Sequence, residues 1–312
     1  MTTPLTELKV LDSWHEKSGV RAGERRVLEE DTDILKDFFP EHLVPHLTHP
    51  LVRDSAPDVR RFLGAQHLHQ WLRFTSHFEV AVVNRATQRI AEGGIGFDVP
   101  DRARIDAFKI YVDEGYHSLY SLDVSVQIEE RSAIRALPYD FTPFISQLDD
   151  VGSGFPQHRK LVQLLQVVVF ETLITSILAD VPRAENVITL VRDTVRDHVI
   201  DEGRHHAFFS KFFEYVWGQL APAERRLMAT FLPSLIVRSL QPATGPAHQA
   251  LRVAGFDRDA RHAIVEDAYR RESVLESIRF ASAKTVALFE QHGVLELPGV
   301  RDQFTAEGLL SS

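Results

Sequence analysis

The stretch VRDTVRDHVIDEGRHHAFFSKFF, Val191 to Phe213, decides the fold. Read in alternating steps of four and three, it gives Val191, Val195, His198, Glu202, His205, Phe209 and Phe212. That spacing is one face of an α-helix, and its apolar ends mark it as the face turned to the core. The middle of the face is His, Glu, His. A buried ionised carboxylate without a partner costs at least about 3 kcal/mol, so a helix with this face needs something to hold the charge.

The same device occurs earlier in the chain. Asp113-Glu114-Gly115-Tyr116-His117 and Asp201-Glu202-Gly203-Arg204-His205 share the pattern D-E-G-x-H, and the first lies in the stripe Ile110, Glu114, His117, Ser121, Val124, Ile128. Glu and His three apart stand one above the other on a helix and can ligate one metal ion together. Two further carboxylates occupy core faces. Glu171 is flanked at helical spacing by Leu164, Val168, Ile174 and Leu178, and no Lys or Arg lies between Lys160 and Arg183. Glu79 lies between Leu72 and Val83, with Arg73 and Arg85 close enough in sequence for a salt bridge to be the competing explanation.

In order, the chain offers Glu79, then Glu114 and His117, then Glu171, then Glu202 and His205. Glu, Glu-x-x-His, Glu, Glu-x-x-His is the known ligand order of ferritin-like di-iron carboxylate proteins. The charges fit. Two ferrous ions bring four positive charges, four carboxylates cancel them, and neutral imidazoles complete the coordination. Oxygen and nitrogen donors without thiolate suit iron, with manganese the second choice. His198 is additional. It precedes Glu202 by four and His205 by seven on the same face, so it is expected to reach the metal those two serve.

Composition bounds the alternatives. The chain has 312 residues, 44% hydrophobic and 25% charged, enough for a large core. It contains no cysteine, which excludes disulfides, thiolate metal sites and a cysteine nucleophile. A net charge of -9 argues against a nucleic-acid partner. The start, MTTPLTELKVLDSWHEK, lacks the basic and apolar blocks of a secretory signal, so a cytoplasmic location is expected. The most apolar stretch, residues 160–181, is interrupted by Gln163, Gln166 and Glu171 and reads as a buried helix, with no membrane span expected. Neither GGIGFDV nor GSGFPQ completes a dinucleotide fingerprint and no P-loop occurs. Electrons for any redox cycle must come from an external donor or reductase.

Helical periodicity predicts helices near 22–38, 56–90, 101–132, 158–181, 184–216, 221–240 and 258–291. Pro- and Gly-rich breaks separate them at 40–50, 93–101, 151–156, 241–246 and 296–300. The expected architecture is all-α: one helical domain, residues 1–312, with a metal-binding core at about 60–215 and additional N- and C-terminal helices.

The joint pattern resembles the p-aminobenzoate N-oxygenase family, ferritin-like di-iron enzymes that oxidise arylamines. The residues that carry the resemblance are Glu79 in FEVAVVN, Glu114 and His117 in DEGYHSLYSLD, Glu171 in FETLITSIL, and His198, Glu202 and His205 in RDHVIDEGRHH. The separations along Glu79, Glu114, Glu171, His198, Glu202 and His205, which are 35, 57, 27, 4 and 3 residues, also match. The resemblance implies four Glu and three His as ligands, a ferritin-like bundle, often a homodimer, and O2 as co-substrate. It further implies a peroxo di-ferric species that attacks the nitrogen of an aromatic primary amine, giving hydroxylamine and then nitroso or nitro product. Asp113 and Asp201, each one residue before a ligand Glu, are rotated about 100° from it and are expected to hydrogen-bond a ligand His of a neighbouring helix.

The competing readings are another di-iron oxidase (a C-hydroxylase, desaturase or radical-generating subunit) and a non-catalytic iron-binding protein. Other residues receive plainer readings. His206 points away from His205. His42, His46 and His49 are interleaved with Pro40, Pro45 and Pro50 and belong to a loop. His67 and His69 are structural, and Tyr111, Tyr116 and Tyr120 are packing residues. Arg270, Arg271 and Arg279 are possible partners for a substrate anion, with a solvated helix face the commoner role of the adjacent pair.

Overall fold

A computed structural model describes residue 5, residues 9–29 and residues 32–310, apart from the side chain of Ile177. Among the described residues there is no strand, only an isolated bridge between Asp37 and Val187. The helices are α1 (Trp14–Lys17), α2 (Gly19–Ala22), α3 (Pro50–Arg53), α4 (Pro57–Phe78), α5 (Asn84–Glu92), α6 (Asp101–Ser132) and α7 (Thr142–Asp149). They continue as α8 (Arg159–Leu178), α9 (Thr189–Gln219), α10 (Pro222–Leu240), α11 (Gly245–Val253), α12 (Arg258–Ala268), α13 (Arg271–Gln291) and α14 (Val300–Ala306).

Local chemistry sets several of these ends. Pro57 and Pro222 open α4 and α10, where the missing N–H is no loss and the fixed φ suits the helix. The Asp257 side chain caps α12 by accepting from the Ala260 N–H at 2.8 Å. Gly93 closes α5 at φ 74°, the left-handed conformation that glycine adopts at no steric cost.

Four long rods form the core. The first is α4 and α5 joined by a π-helical segment, Glu79–Val83, and the others are α6, α8 and α9. Both α4 and α5 pack on α6, α6 packs on α9, and α9 packs on α8; α10 and α13 cover α8 from outside. Phe208, Phe209, Phe212 and Phe213 of α9 are fully buried, each contributing about 1.5–3 kcal/mol by removal from water. The stretch 156–183 is apolar and long enough to cross a membrane by length and composition, yet most of it is buried inside the protein.

Two predicted helices are corrected. Residues 22–38 do not form a helix: beyond α2 the chain is extended through 29, Glu30 and Asp31 lie outside the described residues, and only a 3-10 turn follows at Asp33–Leu35. This segment straps across α6 and α9 instead. Arg25 pairs with Asp123 and Arg26 with Asp197, both at 2.8 Å, and the Leu28 N–H donates to Gln127 at 3.0 Å. The predicted helix 258–291 is broken at Tyr269 and Arg270 into α12 and α13, with the Arg270 backbone extended at ψ 137°. Six short helices, α1, α2, α3, α7, α11 and α14, were not anticipated from periodicity because each is under ten residues.

Candidate metal centre

The four rods bring their polar stripe residues to one place. Glu79, Glu114, His117, Glu171, His198, Glu202 and His205 are each 2% exposed or less. Ligand atoms of Glu114, Glu171, Glu202 and His205 all lie within 4.8 Å of one another, and so do those of His117, His198 and Glu202. Glu202 belongs to both groups. Glu79, the first residue of the π segment, stands beside the second group with Oε1 3.9 Å from His198 Nε2. A π turn displaces a side chain from the register of the preceding helix, a device common at functional sites. His198 falls with His117 and Glu202 rather than with His205, so the sequence expectation that it shares a metal with His205 is not what this geometry favours.

The histidines are oriented by carboxylates across the bundle. His117 Nε2 is 3.3 Å from Asp201 Oδ2, and His205 Nε2 is 3.2 Å from Asp113 Oδ2. Each aspartate thus serves the histidine of the other helix. With the Nε2 proton donated outward, the Nδ1 lone pair of each ring faces the cage. His117 Nδ1 is 3.0 Å from Glu114 Oε2, and His205 Nδ1 is 2.8 Å from Glu114 Oε1.

Two parts of this support came from residues that sequence reasoning missed. The Trp14 indole N–H donates to both oxygens of Asp113, at 2.9 and 2.8 Å, and the Gly19 N–H donates to Asp201 at 3.2 Å. Arg204, one turn from Asp201, pairs with it as well. Arg204 was visible as an i,i+3 partner; Trp14, 99 residues from Asp113, had no local signal.

The donor set fits metal ions by what it leaves unsatisfied. Glu79 Oε2, both oxygens of Glu171 and Glu202 Oε2 are buried without a hydrogen-bond partner, and Glu114 Oε1 and His205 Nδ1 lie 2.8 Å apart as an ion pair without hydrogen-bond geometry. Each such atom costs about 1–3 kcal/mol, and more if charged. Ordinary salt bridges do not explain them. Among the described residues the cationic partners of these glutamates are histidines, while Arg73 is engaged by Glu129 and Arg85 by Asp149. Divalent cations would satisfy these atoms together.

Without metal, protons do part of that work. Burial pushes Glu79 and Glu171 well above the usual carboxylate range, and the negative charges of neighbouring glutamates add to the shift. Burial and Glu202 push Glu114 the same way, but His205 and His117 outweigh them and hold it at about 2. Burial alone would lower His117 and His205; Glu114 reverses this and raises both well above 6.5. Burial and the nearby His117 keep His198 low.

The remaining candidates are elsewhere. His46 Nδ1 meets the Tyr269 hydroxyl at 2.9 Å, His49 Nδ1 accepts from the Leu51 N–H, and His69 meets Ser125 and the Ile134 carbonyl. Tyr120 lies over His117 and His198, with ring centroids 5.4 and 5.8 Å apart; Tyr111 is exposed. Arg270 pairs with Asp267, Arg279 donates to the Gly308 carbonyl, and Arg271 lines a cavity of about 460 Å³ with Tyr269 and Glu307.

The chain matches the family model described as "P-aminobenzoate N-oxygenase AurF" over residues 10–293. A comparison with curated proteins returns no match.

Proposed function

Since this match spans most of the chain, the protein belongs to the p-aminobenzoate N-oxygenase AurF family, a family of helical, ferritin-like oxygenases, and we propose that it is a di-iron monooxygenase acting on an aromatic primary amine. The amine nitrogen is oxidised to hydroxylamine and onward to nitroso or nitro product. The observation that carries this reading is the set of unpartnered, buried carboxylate oxygens gathered around Glu202.

In this reading Glu79, Glu114, His117, Glu171, His198, Glu202 and His205 would hold two iron ions, Glu202 being the residue common to both ligand groups. Bound iron supplies O2 activation and the redox equivalents. The residues of the chain supply the rest. Asp113 and Asp201 fix the imidazole tautomers so that lone pairs face inward. The four carboxylates neutralise the charge of two ferrous ions in a dry interior. Phe78 and Phe170, each one residue before a proposed ligand, pack against one another with ring centroids 4.1 Å apart. An external reductase or small reductant returns the electrons. The whole chain acts as one cytoplasmic domain and as a homodimer.

The test is to load metal-free protein with Fe(II) under nitrogen, count iron per chain, admit O2 with a reductant, and follow a panel of aromatic amines by mass spectrometry. Two irons per chain and oxygen gained at nitrogen are expected. Iron binding with oxidation only at carbon would assign a different oxygenase reaction, and failure to take up iron would remove the proposal.

A further inference from the structure

A cavity of about 250 Å³ lies in the outer seam between α6 and α9, roofed by α2 and the segment after it as far as Arg26. Its wall on α6 is aromatic and aliphatic: Tyr116, Leu119, Tyr120 and Val124. On α9 the wall is Thr194, Asp197 and Asp201. Neither α4 nor α8, the helices that lead into Glu79 and carry Glu171, lines it. The cavity therefore stands on the outward side of His117, where Asp201 accepts from the Nε2 proton.

Tyr120 joins this cavity to the cage. Its ring lines the cavity and also lies over His117 and His198. Tyr116 meets it edge-on along the same wall, with ring centroids 5.4 Å apart. Burial, and after it the negative charges of Glu202, Asp201, Glu114 and Glu79, hold the Tyr120 phenol in its protonated form. Thr194 is 3% exposed, and its hydroxyl has no hydrogen-bond partner. A buried hydroxyl left unpaired is costly, and on the wall of a cavity it points to a ligand that would pair with it. At the mouth the charges cancel, since Arg25 pairs with Asp123 and Arg26 with Asp197. Such a mouth suits a neutral molecule better than a phosphate-bearing cofactor. Both pairs are exposed, and exposed pairs hold weakly, so the roof can lift to admit a ligand.

We propose that this cavity seats a small neutral hydroquinone, and that Tyr120 conducts its electrons to the ligand histidines. The aromatic wall matches the ring, and the Thr194 hydroxyl and the Asp197 carboxylate offer acceptors to its O–H groups. The rings of Tyr120 and His117 stand between the cavity and the metal positions, so a molecule seated there can hand over electrons but cannot bond to metal or receive oxygen. That geometry fits an electron donor and not the amine. The role rests on the di-iron reading above. Each hydroquinone becomes a quinone by giving one electron to each of two ferric ions, which become ferrous. Its two protons leave through the mouth to solvent, and no bond forms to the protein.

The test titrates 1,4-dihydroxynaphthalene into the full-length protein by calorimetry under nitrogen, with and without Fe(II). One site per chain is expected in both. Thr194→Val keeps the shape and drops the hydroxyl, and should weaken binding about fivefold, the usual worth of one hydrogen bond. Leu119→Trp, at a position 62% exposed, should fill the cavity and abolish binding, with circular dichroism showing that the helices persist. In ferric protein the donor should bleach the iron absorption at a rate that saturates with its concentration. Tyr120→Leu should lose most of the limiting rate and Tyr120→Phe, which retains the ring, should keep it. No binding, binding that survives Leu119→Trp, or an undiminished limiting rate in Tyr120→Leu would overturn the proposal. Displacement of the hydroquinone by aniline would also overturn it and give the cavity to the amine. N-oxygenation enters none of these readouts, so their failure leaves that reading standing. Protein that takes up no iron would remove that reading, and the donor role with it, whatever the binding isotherm.

Discussion

Helices α6 and α9 carry the same device, D-E-G-x-H, and their inner faces are near copies. Each offers a Glu and a His to the cage and an aspartate to the histidine of the other. Two differences stand out. Four residues before its Glu, α9 has His198, while α6 has Ile110, fully buried. Outside, α6 exposes Ile105, Phe108, Val112, Leu119, Leu122 and Val126, whereas the exposed residues of α9 between 191 and 213 are Arg196, Ile200, Gly203 and Lys211. The comparison teaches that ligand geometry constrains one face of a helix only. The opposite face is free to be shaped by whatever lies against it.

The strongest way to break the comparison is at the shared residue. Glu202→Ala removes the residue common to both groups and is expected to abolish metal loading and turnover, whereas Glu79→Ala, at the edge, should retain part of the metal; iron analysis of both variants checks this. If Glu79→Ala loses as much as Glu202→Ala, Glu202 is not the shared ligand. Next, His198→Ile makes α9 like α6. We expect iron to be retained, with altered visible absorption and reduced N-oxygenation. An unchanged spectrum with full activity would mean that the third histidine is not a ligand.

Asp113→Asn and Asp201→Asn probe the crossed support. Each should weaken metal affinity about 10–100-fold, by the usual cost of losing such a partner, and the two losses should be similar if the helices are equivalent. Titration with Co(II) measures this.

The pH dependence follows from the metal-free protonation. His117 and His205 are raised above 6.5, so their contribution to stability is complete below about 6.5 and is lost as pH rises through their folded values. Glu79 and Glu171 are raised above 4.5, so the folded chain again holds protons that the unfolded chain has released. Both pairs act in the same direction: metal-free protein should melt at lower temperature as pH goes from mildly acidic to mildly alkaline. Glu114, held at about 2, and Glu202, held well below 4.5, act oppositely, but only as pH falls below about 4.5. Metal uptake should expel the protons of these four groups, which a pH indicator in weak buffer would register, and metal affinity should rise with pH. Uptake without proton release would contradict the assignment.

The smallest effect belongs to Trp14→Phe, which keeps the ring packing and loses a hydrogen bond to a carboxylate. About 1–2 kcal/mol is expected, read as a drop in Tm of a few degrees. Gly19→Ala is the matching change on the α9 side, since a Cβ there would stand 2.7 Å from Asp201 Oδ2.

Much of this was legible in the sequence, for particular reasons. The helix predicted at 101–132 has those same bounds, because Pro100 precedes it and its inner stripe is regular throughout. A 100° rotation turns Asp113 and Asp201 off the ligand face toward a neighbouring helix, while their reciprocal pairing with His205 and His117 is set by the packing of α6 on α9. The segment 22–38 was misread because ERRVLEE has helix-forming residues, yet its arginine side chains find Asp123 and Asp197 and its Leu28 N–H finds Gln127, about 100 or more residues away. Propensity yields to such partners. The π segment at Glu79–Val83 was hidden because one displaced turn leaves the apolar spacing of the rod almost intact.

The amino terminus ties the two halves of the site together through Trp14 and Gly19, 99 and 182 residues from their partners. On the ribosome the segment carrying Trp14 and Gly19 emerges before the helices of the cage exist, and Gly19 must wait 182 residues for its partner. A change in that segment would therefore disturb the centre from a distance, as a faulty latch spoils a door whose hinges are sound.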